Sequence, residues 1–236
     1  MSTRLYRLLF VGAPGVGKGT YSSRAAAALR CTSISSGDLL RSEVEKDTEI
    51  GRRVKNLIEN GIFVPDALIS EMVMNHFTQM HTSAEFHGYI FDGFPRNFTQ
   101  AKTIWDSGDM PIDCVINFAQ PNNVILAKVS SRRMCSNCGF VYNLAKIDEG
   151  GIKMDPLLPR VKGICDKCGS TGPLVTRKDD EFSVMEARLK DYEKISVPLL
   201  HFYQEKGVLH NFEVLGGAKQ YLPRLLELIK SIYSCV

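Results

Sequence analysis

A glycine-rich segment, Gly12–Thr20, has the order Gly-Ala-Pro-Gly-Val-Gly-Lys-Gly-Thr. An apolar run, Leu5–Val11, precedes it, and a helix-forming pattern begins at Lys18. Glycines let backbone N–H groups wrap around an anion, a helix N-terminus adds positive potential, and a lysine neutralises phosphate charge. The segment therefore predicts a phosphate-binding loop formed by Gly15, Val16, Gly17, Lys18, Gly19 and Thr20.

Two matching Cys-x-x-Cys-Gly segments form a second group of reactive side chains, separated by a long loop. Two such turns can present four thiolates in a tetrahedron, which is the geometry that structural Zn²⁺ prefers. Four thiolates leave no coordination position open for catalysis. The residues between the pairs are nearly balanced in charge, which disfavours a nucleic-acid surface. We expect a structural zinc site with the ligands Cys135, Cys138, Cys165 and Cys168.

Charged residues elsewhere have the types that phosphoryl transfer uses. Asp92 ends an apolar run, where a carboxylate can orient the water ligands of Mg²⁺, and Arg96 follows it closely. Phosphoryl transfer requires in-line positioning and cations near the oxygens that gain charge, not a covalent intermediate. The five histidines lie in no recognisable motif. Further candidate cations flank the cysteine-bearing segment: Arg132, Arg177 and Arg188.

Short apolar runs alternate with helical patterns along the chain and would position these groups. The helical segment that begins at Pro65–Asp66 carries apolar residues at helical spacing on one face. Such alternation predicts a parallel sheet covered by helices on both faces, an α/β fold. Residues 135–176 break the pattern and are interpreted as an insertion stapled by its metal. Strands are predicted at Leu5–Val11, Thr32–Ser35, Tyr89–Phe91, Val115–Phe118 and Val208–Val214.

Composition and charge exclude several classes of protein. The 236 residues are 44% hydrophobic and 23% charged, which is typical of a globular protein. A net charge of +3 is too small for a general nucleic-acid or membrane-surface binder. No apolar run approaches the roughly 20 residues of a membrane span. Met1–Arg7 leads almost directly into a strand, so we expect no secretory signal and therefore a reducing compartment, the cytoplasm or alternatively the mitochondrion. We also expect a monomer.

The phosphate loop has an unusual feature, because Gly19 separates Lys18 from the hydroxyl of Thr20. This form resembles that of nucleoside monophosphate kinases, and a GTPase Asn-Lys-x-Asp motif is absent from the sequence. The segments Ile34–Arg41 and Phe91–Arg96 are similar to those of adenylate kinases, and the similarity covers nearly the whole chain. The resemblance implies a P-loop fold with a five-stranded parallel sheet and transfer of a phosphoryl group from ATP to AMP, with Mg²⁺. It also implies a core of residues 1–34, 65–130 and 181–236, an AMP-binding insertion of residues 35–64, and a zinc-binding lid of residues 131–180.

The resemblance also assigns roles to individual residues. Lys18, Arg96, Arg132, Arg177 and Arg188 would be the catalytic cations. Arg132, Val141, Tyr142 and Ala218 would join the phosphate loop in binding the donor, and Asp92 and Asp179 would hold the water shell of Mg²⁺. The AMP site would comprise Ser36, Arg41, Ile62, Phe63, Val64, Gly93, Phe94, Pro95, Arg96, Gln100, Arg177 and Arg188.

The identity of the donor stays open at this point. Lys128 occupies a position where many relatives carry an arginine stacked on the donor base, and lysine stacks poorly. Tyr21–Arg24, Val141–Asn143 and Tyr203–Leu209 are similar to mitochondrial GTP:AMP phosphotransferases, which are the main alternative. The long lid disfavours a UMP/CMP kinase. A zinc-ribbon binding module with a residual nucleotide site is the alternative from another class, and the retained lysine and arginines argue against it.

Overall fold

Five parallel strands form the central sheet of the computed structural model, which describes residues 5–60, 62, 64–80 and 87–234. In chain order these strands are β1 (Tyr6–Gly12), β2 (Thr32–Ser35), β3 (Gly88–Asp92), β4 (Cys114–Ala119) and β10 (Leu209–Glu213), and their order across the sheet is β10-β4-β1-β3-β2. At the centre, Leu8 lies opposite Ile90 on one side and Cys114 on the other. The predicted five-stranded parallel sheet is confirmed.

Helices cover both faces of the sheet. They are α1 (Lys18–Leu29), α2 (Ser36–Glu45), α3 (Glu49–Glu59), α4 (Asp66–Met80), α5 (Phe98–Ser107), α6 (Asn122–Ser130), α7 (Phe182–Glu205) and α8 (Ala218–Ser234). Successive side chains of β1 alternate between two core clusters: Leu8 and Phe10 pack in one, Leu9 and Val11 in the other. Because both faces are covered, the strand is apolar throughout, as parallel strands usually are.

The predicted apolar face of α4 is buried against the core. Ile69, Met72, Val73 and Phe77 are all less than 10% exposed. The residues recur at helical spacing, so one stripe of the helix lies inward. This helix supports the sheet from the side that also carries α5 and α7, because its buried residues share a cluster with theirs.

The lid, residues 131–180, contains two small antiparallel sheets. One consists of β5 (Arg132–Cys135), β6 (Val141–Asn143) and β9 (Leu174–Val175), and a 3₁₀ turn at Lys178–Asp180 closes the segment. The other is a hairpin of β7 (Ile147–Glu149) and β8 (Ile152–Met154), which we call the lid hairpin. These strands are too short to show apolar periodicity in the sequence.

The lid hairpin packs on the core rather than on the rest of the lid. Ile147, Ile152 and Met154 are buried in the same cluster as the β1 residues Leu8 and Phe10. The backbone N–H of Lys153 donates to the carbonyl of Leu215 at 3.1 Å. The loop between the cysteine pairs, whose path the sequence left open, therefore reaches back to the segment between β10 and α8. In the described part of the chain, none of the helices has the length and apolarity needed to cross a membrane.

Candidate active site

A cavity of about 820 Å³ opens at the carboxyl ends of the strands. Gly12 at the end of β1, Ser35 at the end of β2 and Asp92 at the end of β3 all line it. Ligands of open α/β sheets bind at this edge, where loops and helix N-termini meet. The segments predicted to be the lid (131–180) and the AMP-binding insertion (35–64) contribute further walls, so the cavity is lined from three parts of the chain.

The phosphate loop leads into the N-terminus of α1. Its lysine, Lys18, is the first residue of that helix, and its Nζ donates to the carbonyl oxygens of Gly12 at 2.6 Å and Ala13 at 3.0 Å. Gly15 has φ +85°, and a Cβ there would lie 2.5 Å from Cγ2 of Val129, so only glycine fits. Burial lowers the pKa of the Lys18 ammonium to about 8; Asp92 opposes this shift, and nearby arginines add to it.

Asp92 lies beside the first turn of α1, the helix that begins with Lys18. Its Oδ2 is 3.3 Å from the point where a Cβ at Gly19 would stand, and Thr20 lines the same cavity. Burial raises the pKa of Asp92, and the positive charge of Lys18 opposes that shift. A carboxylate beside the phosphate loop has the donor chemistry that Mg²⁺ prefers, so Asp92 fits the role predicted for it.

The acceptor side is built around Arg96. Its Nε donates to the carbonyl of Gly93 at 2.6 Å, and its Nη2 donates to Oγ of Ser36 at 3.2 Å. Gly93 has φ +77°, and a Cβ there would lie 2.9 Å from the Ser36 oxygen. Burial lowers the pKa of Arg96 to about 10, and the nearby charge of Arg188 lowers it further. These bonds hold the guanidinium at the cavity wall.

The arginines on the lid side of the cavity each form a hydrogen bond with another side chain of the protein. Arg132 forms a bidentate pair with Asp180, in which its Nε donates to Oδ2 at 2.8 Å. Arg188 donates to Oδ2 of Asp179 at 3.0 Å. Although burial pushes the pKa of Asp179 upward, the charge of Arg188 and other arginines leaves it lowered. On the AMP-binding insertion, Arg41 pairs with Asp38 one turn earlier in α2.

The structure brings most of the predicted site residues to the cavity. All the predicted catalytic cations line it, and so do the following residues: Gly15, Gly17, Gly19, Thr20, Arg41, Asp92, Gly93, Pro95, Val141, Tyr142, Asp179 and Ala218. Tyr142 is 1% exposed; its Oη donates to Sγ of Cys165 at 3.6 Å and accepts from the N–H of Asp166. This side chain thus supports the cysteine cluster as well.

The remaining predicted residues do not line the cavity. Val16, Phe94 and Val64 are buried in the core clusters, and Ser36 is buried beneath Arg96, while Ile62 is 57% exposed. Gln100, predicted to bond the AMP base, instead accepts from the N–H of Arg96 and donates to Asp66 at 2.6 Å. These hydrogen bonds occupy its amide group in this conformation. Phe63 lies outside the described residues.

Among the residues that line the cavity, Arg24 and Phe140 were not predicted to belong to the site. The guanidinium of Arg24 bonds the carbonyl of Thr20 at 3.2 Å and lies 5.6 Å from the ring centre of Phe140 in the lid. Lys128, which we expected near the donor base, donates to the phosphate loop instead. For Arg24, the i,i+4 spacing from Thr20 on a helix was the one available signal. The contacts of Arg24 with Phe140 and of Lys128 with the phosphate loop have no local sequence signature.

The four paired cysteines meet in the lid. Sγ of Cys135 is 3.8 Å from Sγ of Cys168, and Sγ of Cys138 is 3.6 Å from Sγ of Cys165. All four sulfur atoms lie within 4.8 Å of one another. A tetrahedron with Zn–S bonds of about 2.3 Å has S···S edges of about 3.8 Å, so the donor set fits Zn²⁺.

The two cysteine turns also share one backbone geometry. The N–H of Gly139 donates to the carbonyl of Cys135, and the N–H of Gly169 donates to that of Cys165. Both glycines have φ near +70°, a value that glycine adopts without strain. The glycine after each Cys-x-x-Cys pair therefore closes the turn that presents the sulfur atoms.

Comparison with known proteins agrees with this geometry. The family model described as adenylate kinase matches residues 10–208. The chain is 38% identical over 228 residues to "Adenylate kinase 1, chloroplastic" of Arabidopsis thaliana, covering 94% of this chain and 77% of that protein. It is 36% identical over 229 residues to "Adenylate kinase" of Acetivibrio thermocellus, covering 96% and 99%. It is also 32% identical over 216 residues to "GTP:AMP phosphotransferase" of Plasmodium falciparum, covering 91% and 92%.

The matched family model and these relatives extend over most of the chain. The phosphate loop and the arginines, which first pointed to the family, lie around a single cavity. The chain belongs to the adenylate kinase family.

Proposed function

We propose that the protein is an adenylate kinase that transfers a phosphoryl group reversibly from ATP to AMP, giving two ADP. The observation that carries the proposal is the convergence of the cations on one cavity. Lys18 comes from the phosphate loop, Arg96 from the loop after β3, Arg132 and Arg177 from the lid, and Arg188 from α7. Cations placed around a transferring phosphoryl group supply most of what this reaction needs.

Different residues bind the two substrates. The N–H groups of the phosphate loop and the ammonium of Lys18 bind the donor phosphates. Arg96 and Arg41 would bind the phosphate of AMP, and their position at the cavity wall supports this role. The lid-side arginines pair with Asp179 and Asp180 in the structure, and substrate phosphates would replace those carboxylates. The arginines would then stabilise the charge that develops during transfer.

Mg²⁺ would accompany the donor nucleotide and neutralise charge on its phosphates. Asp92 would hold the water shell of the ion from its position beside Gly19, where burial and the phosphate loop leave it facing the cavity. Asp179 would join it after release from Arg188.

A turnover assay tests the proposal directly. Purified protein, AMP and Mg²⁺ should form ADP from ATP, and CMP and UMP should serve poorly as acceptors. GTP:AMP phosphotransfer is the second candidate, because a relative of that name is 32% identical to the chain over 216 residues. The ratio of kcat/KM for ATP and GTP decides between the two donors. Absence of turnover with either donor would contradict the kinase proposal.

We propose further that the cysteine cluster binds one structural Zn²⁺ per chain. The S···S distances support this proposal, and so does the N–H of Asn137, which donates to Sγ of Cys168 at 3.5 Å. Such outer contacts orient the ligands of a metal. Elemental analysis of purified protein should find one zinc ion per chain. Cys138→Ser should lose it, whereas Cys31→Ser, at a cysteine outside the cluster, should keep it.

For the setting of the enzyme we propose a monomer that acts without nucleic acid in a reducing compartment, the cytoplasm or alternatively the mitochondrion. Free cysteine thiols support a reducing compartment. The modest net charge, with cations gathered at the cavity, supports the absence of a nucleic-acid partner. Light scattering of the purified protein and localisation of a tagged chain test these points.

A further inference from the structure

The side chain of Lys128 contacts the backbone of the phosphate loop. It lies near the end of α6, and its Nζ donates to the carbonyl of Val16 and to Oε1 of Gln120, each at 2.7 Å. The Nζ is 3.6 Å from the point where a Cβ at Gly17 would stand. Burial of the ammonium lowers the pKa of Lys128 to about 7, and the charges of Arg132 and Lys18 lower it further. The group is thus part of the cation cluster around the phosphate site.

Gln120 connects Lys128 to the segment that follows β10. Its Nε2 donates to the carbonyl of Val214 at 2.7 Å, directly after β10. The next residues, Gly216 to Ala218, line the cavity. A continuous chain of hydrogen bonds therefore joins the phosphate loop, Lys128, Gln120 and the segment between β10 and α8.

Two lysines together bond the carbonyl groups of the phosphate loop. Lys18 bonds those of Gly12 and Ala13, and Lys128 bonds that of Val16. With these carbonyl oxygens held by lysines, and the N–H of Val16 bonded to the carbonyl of Ala13, the loop backbone is fixed in a conformation that can present its remaining N–H groups to an anion. To stack on a base, Lys128 would have to leave both of its acceptors, and an ammonium gains little from stacking.

We infer that Lys128 is a positioning residue of the phosphate loop: it holds the carbonyl of Val16, and so the N–H groups that bind the donor phosphates, without reading the donor base. The inference rests on the proposed donor site. It follows that loss of Lys128 weakens every triphosphate ligand by the same factor, whatever the base. The acceptor side has its own hydrogen bonds, through Arg96 and Ser36, and stays intact.

Calorimetric titration of Lys128→Met with ATP, GTP and inorganic tripolyphosphate tests the inference, because tripolyphosphate has no base. Removing a charge-assisted hydrogen bond should weaken all three by about tenfold. In turnover assays the donor KM should rise while kcat and the KM for AMP stay within about twofold of wild type. Lys102→Met, at an exposed lysine of α5, is the control and should change none of these values. Unchanged tripolyphosphate affinity with weakened ATP binding would overturn the inference and assign Lys128 to the base.

Gln120→Leu provides a second variant that keeps the charge of Lys128 but removes one of its acceptors. It should weaken the same three ligands in the same ratio, by a smaller factor than Lys128→Met. If Lys128→Met fails to fold, as judged by its thermal unfolding, Gln120→Leu tests the inference by itself. Wild-type affinity of Gln120→Leu for tripolyphosphate would then overturn the inference. Turnover by the wild type tests the proposed function separately, since the binding ratios do not depend on catalysis.

Discussion

At the scale of single residues, the chemistry lies in cations that the fold holds close together despite their repulsion. Lys18, Lys128, Arg96 and Arg177 all have lowered pKa values, because burial disfavours their charged forms and their neighbours are also positive. Anionic phosphates would offset both the burial of these positive charges and their mutual repulsion. The site is therefore organised for ligands that carry several negative charges, which nucleotides do.

Arg96 offers the sharpest test of the acceptor side. Arg96→Ala removes a guanidinium that hydrogen bonds to Gly93 and Ser36 hold at the cavity wall. We expect kcat/KM for AMP to fall by about 10²-fold or more, as for other preorganised catalytic donors, while ATP affinity changes little. Steady-state kinetics and calorimetry measure the two values. Arg53→Ala, at an exposed arginine of α3, should behave as wild type; a similar loss there would show that the effect is not specific.

The lowered pKa of Lys18 predicts a pH dependence of donor capture. With a pKa of about 8, the ammonium of the free enzyme loses its proton as the pH rises above that value, and attraction for phosphate is lost with it. Because kcat/KM reports groups of the free enzyme, kcat/KM for the donor should fall above about pH 8. Bound phosphates raise the pKa of Lys18, so kcat itself should fall only at higher pH. Parallel declines of both parameters would contradict this assignment, and circular dichroism checks that the fold persists.

At the scale of elements, the strands of the core could be predicted, whereas the strands within the predicted lid could not. The central strands β1 and β4 are largely apolar and buried, since both faces of the sheet are covered there, and α4 has a clear apolar stripe, whereas the edge strands β2 and β10 mix polar and apolar residues. The lid strands have two to four residues each, too few for any periodicity to appear. Their positions depend on the cysteine cluster and on burial against the core, neither of which is local in sequence.

The same limit applies to the site. Motif residues such as Lys18 and Asp92 could be predicted because their chemistry follows from their place at the ends of strands. The contact of Lys128 with Val16 joins residues 112 positions apart, and Arg132 meets Asp180 across 48 positions. Only the folded chain brings these pairs together, so which cation bonds which group could not be deduced from spacing.

The packing of the lid hairpin on the core leads to a stability prediction. Ile152 is 3% exposed, so Ile152→Ala should leave a cavity and lower the free energy of unfolding by about 2–4 kcal/mol. Val161→Ala, also in the lid but at a side chain that is 58% exposed, is the matched control and should change it by less than about 0.5 kcal/mol. Chemical denaturation measures both. Equal, small effects would mean that the hairpin contributes nothing to the core.

At the scale of the whole molecule, three parts of the chain close around one cavity. The core supplies the phosphate loop, the AMP-binding insertion supplies Arg41, and the lid supplies Arg132 and Arg177. The 3₁₀ turn at the end of the lid lies against α3 of the insertion. Enclosure of this kind excludes water and strengthens each electrostatic contact inside the cavity.

Closure predicts that water competes poorly with AMP as the phosphoryl acceptor. Wild-type protein given ATP without AMP should release phosphate several orders of magnitude more slowly than it phosphorylates AMP. Loss of the metal in Cys138→Ser should loosen the lid, and a cost of about 1.4 kcal/mol to the closed state would change the ratio of hydrolysis to transfer about tenfold. Phosphate release and ADP formation, measured on the same samples, give that ratio. Cys31→Ser is the control, because its thiol lies outside the cluster. If Cys138→Ser loses its metal yet keeps the wild-type ratio, then the cysteine cluster plays no part in excluding water, and closure must depend on the arginine pairs and the lid hairpin.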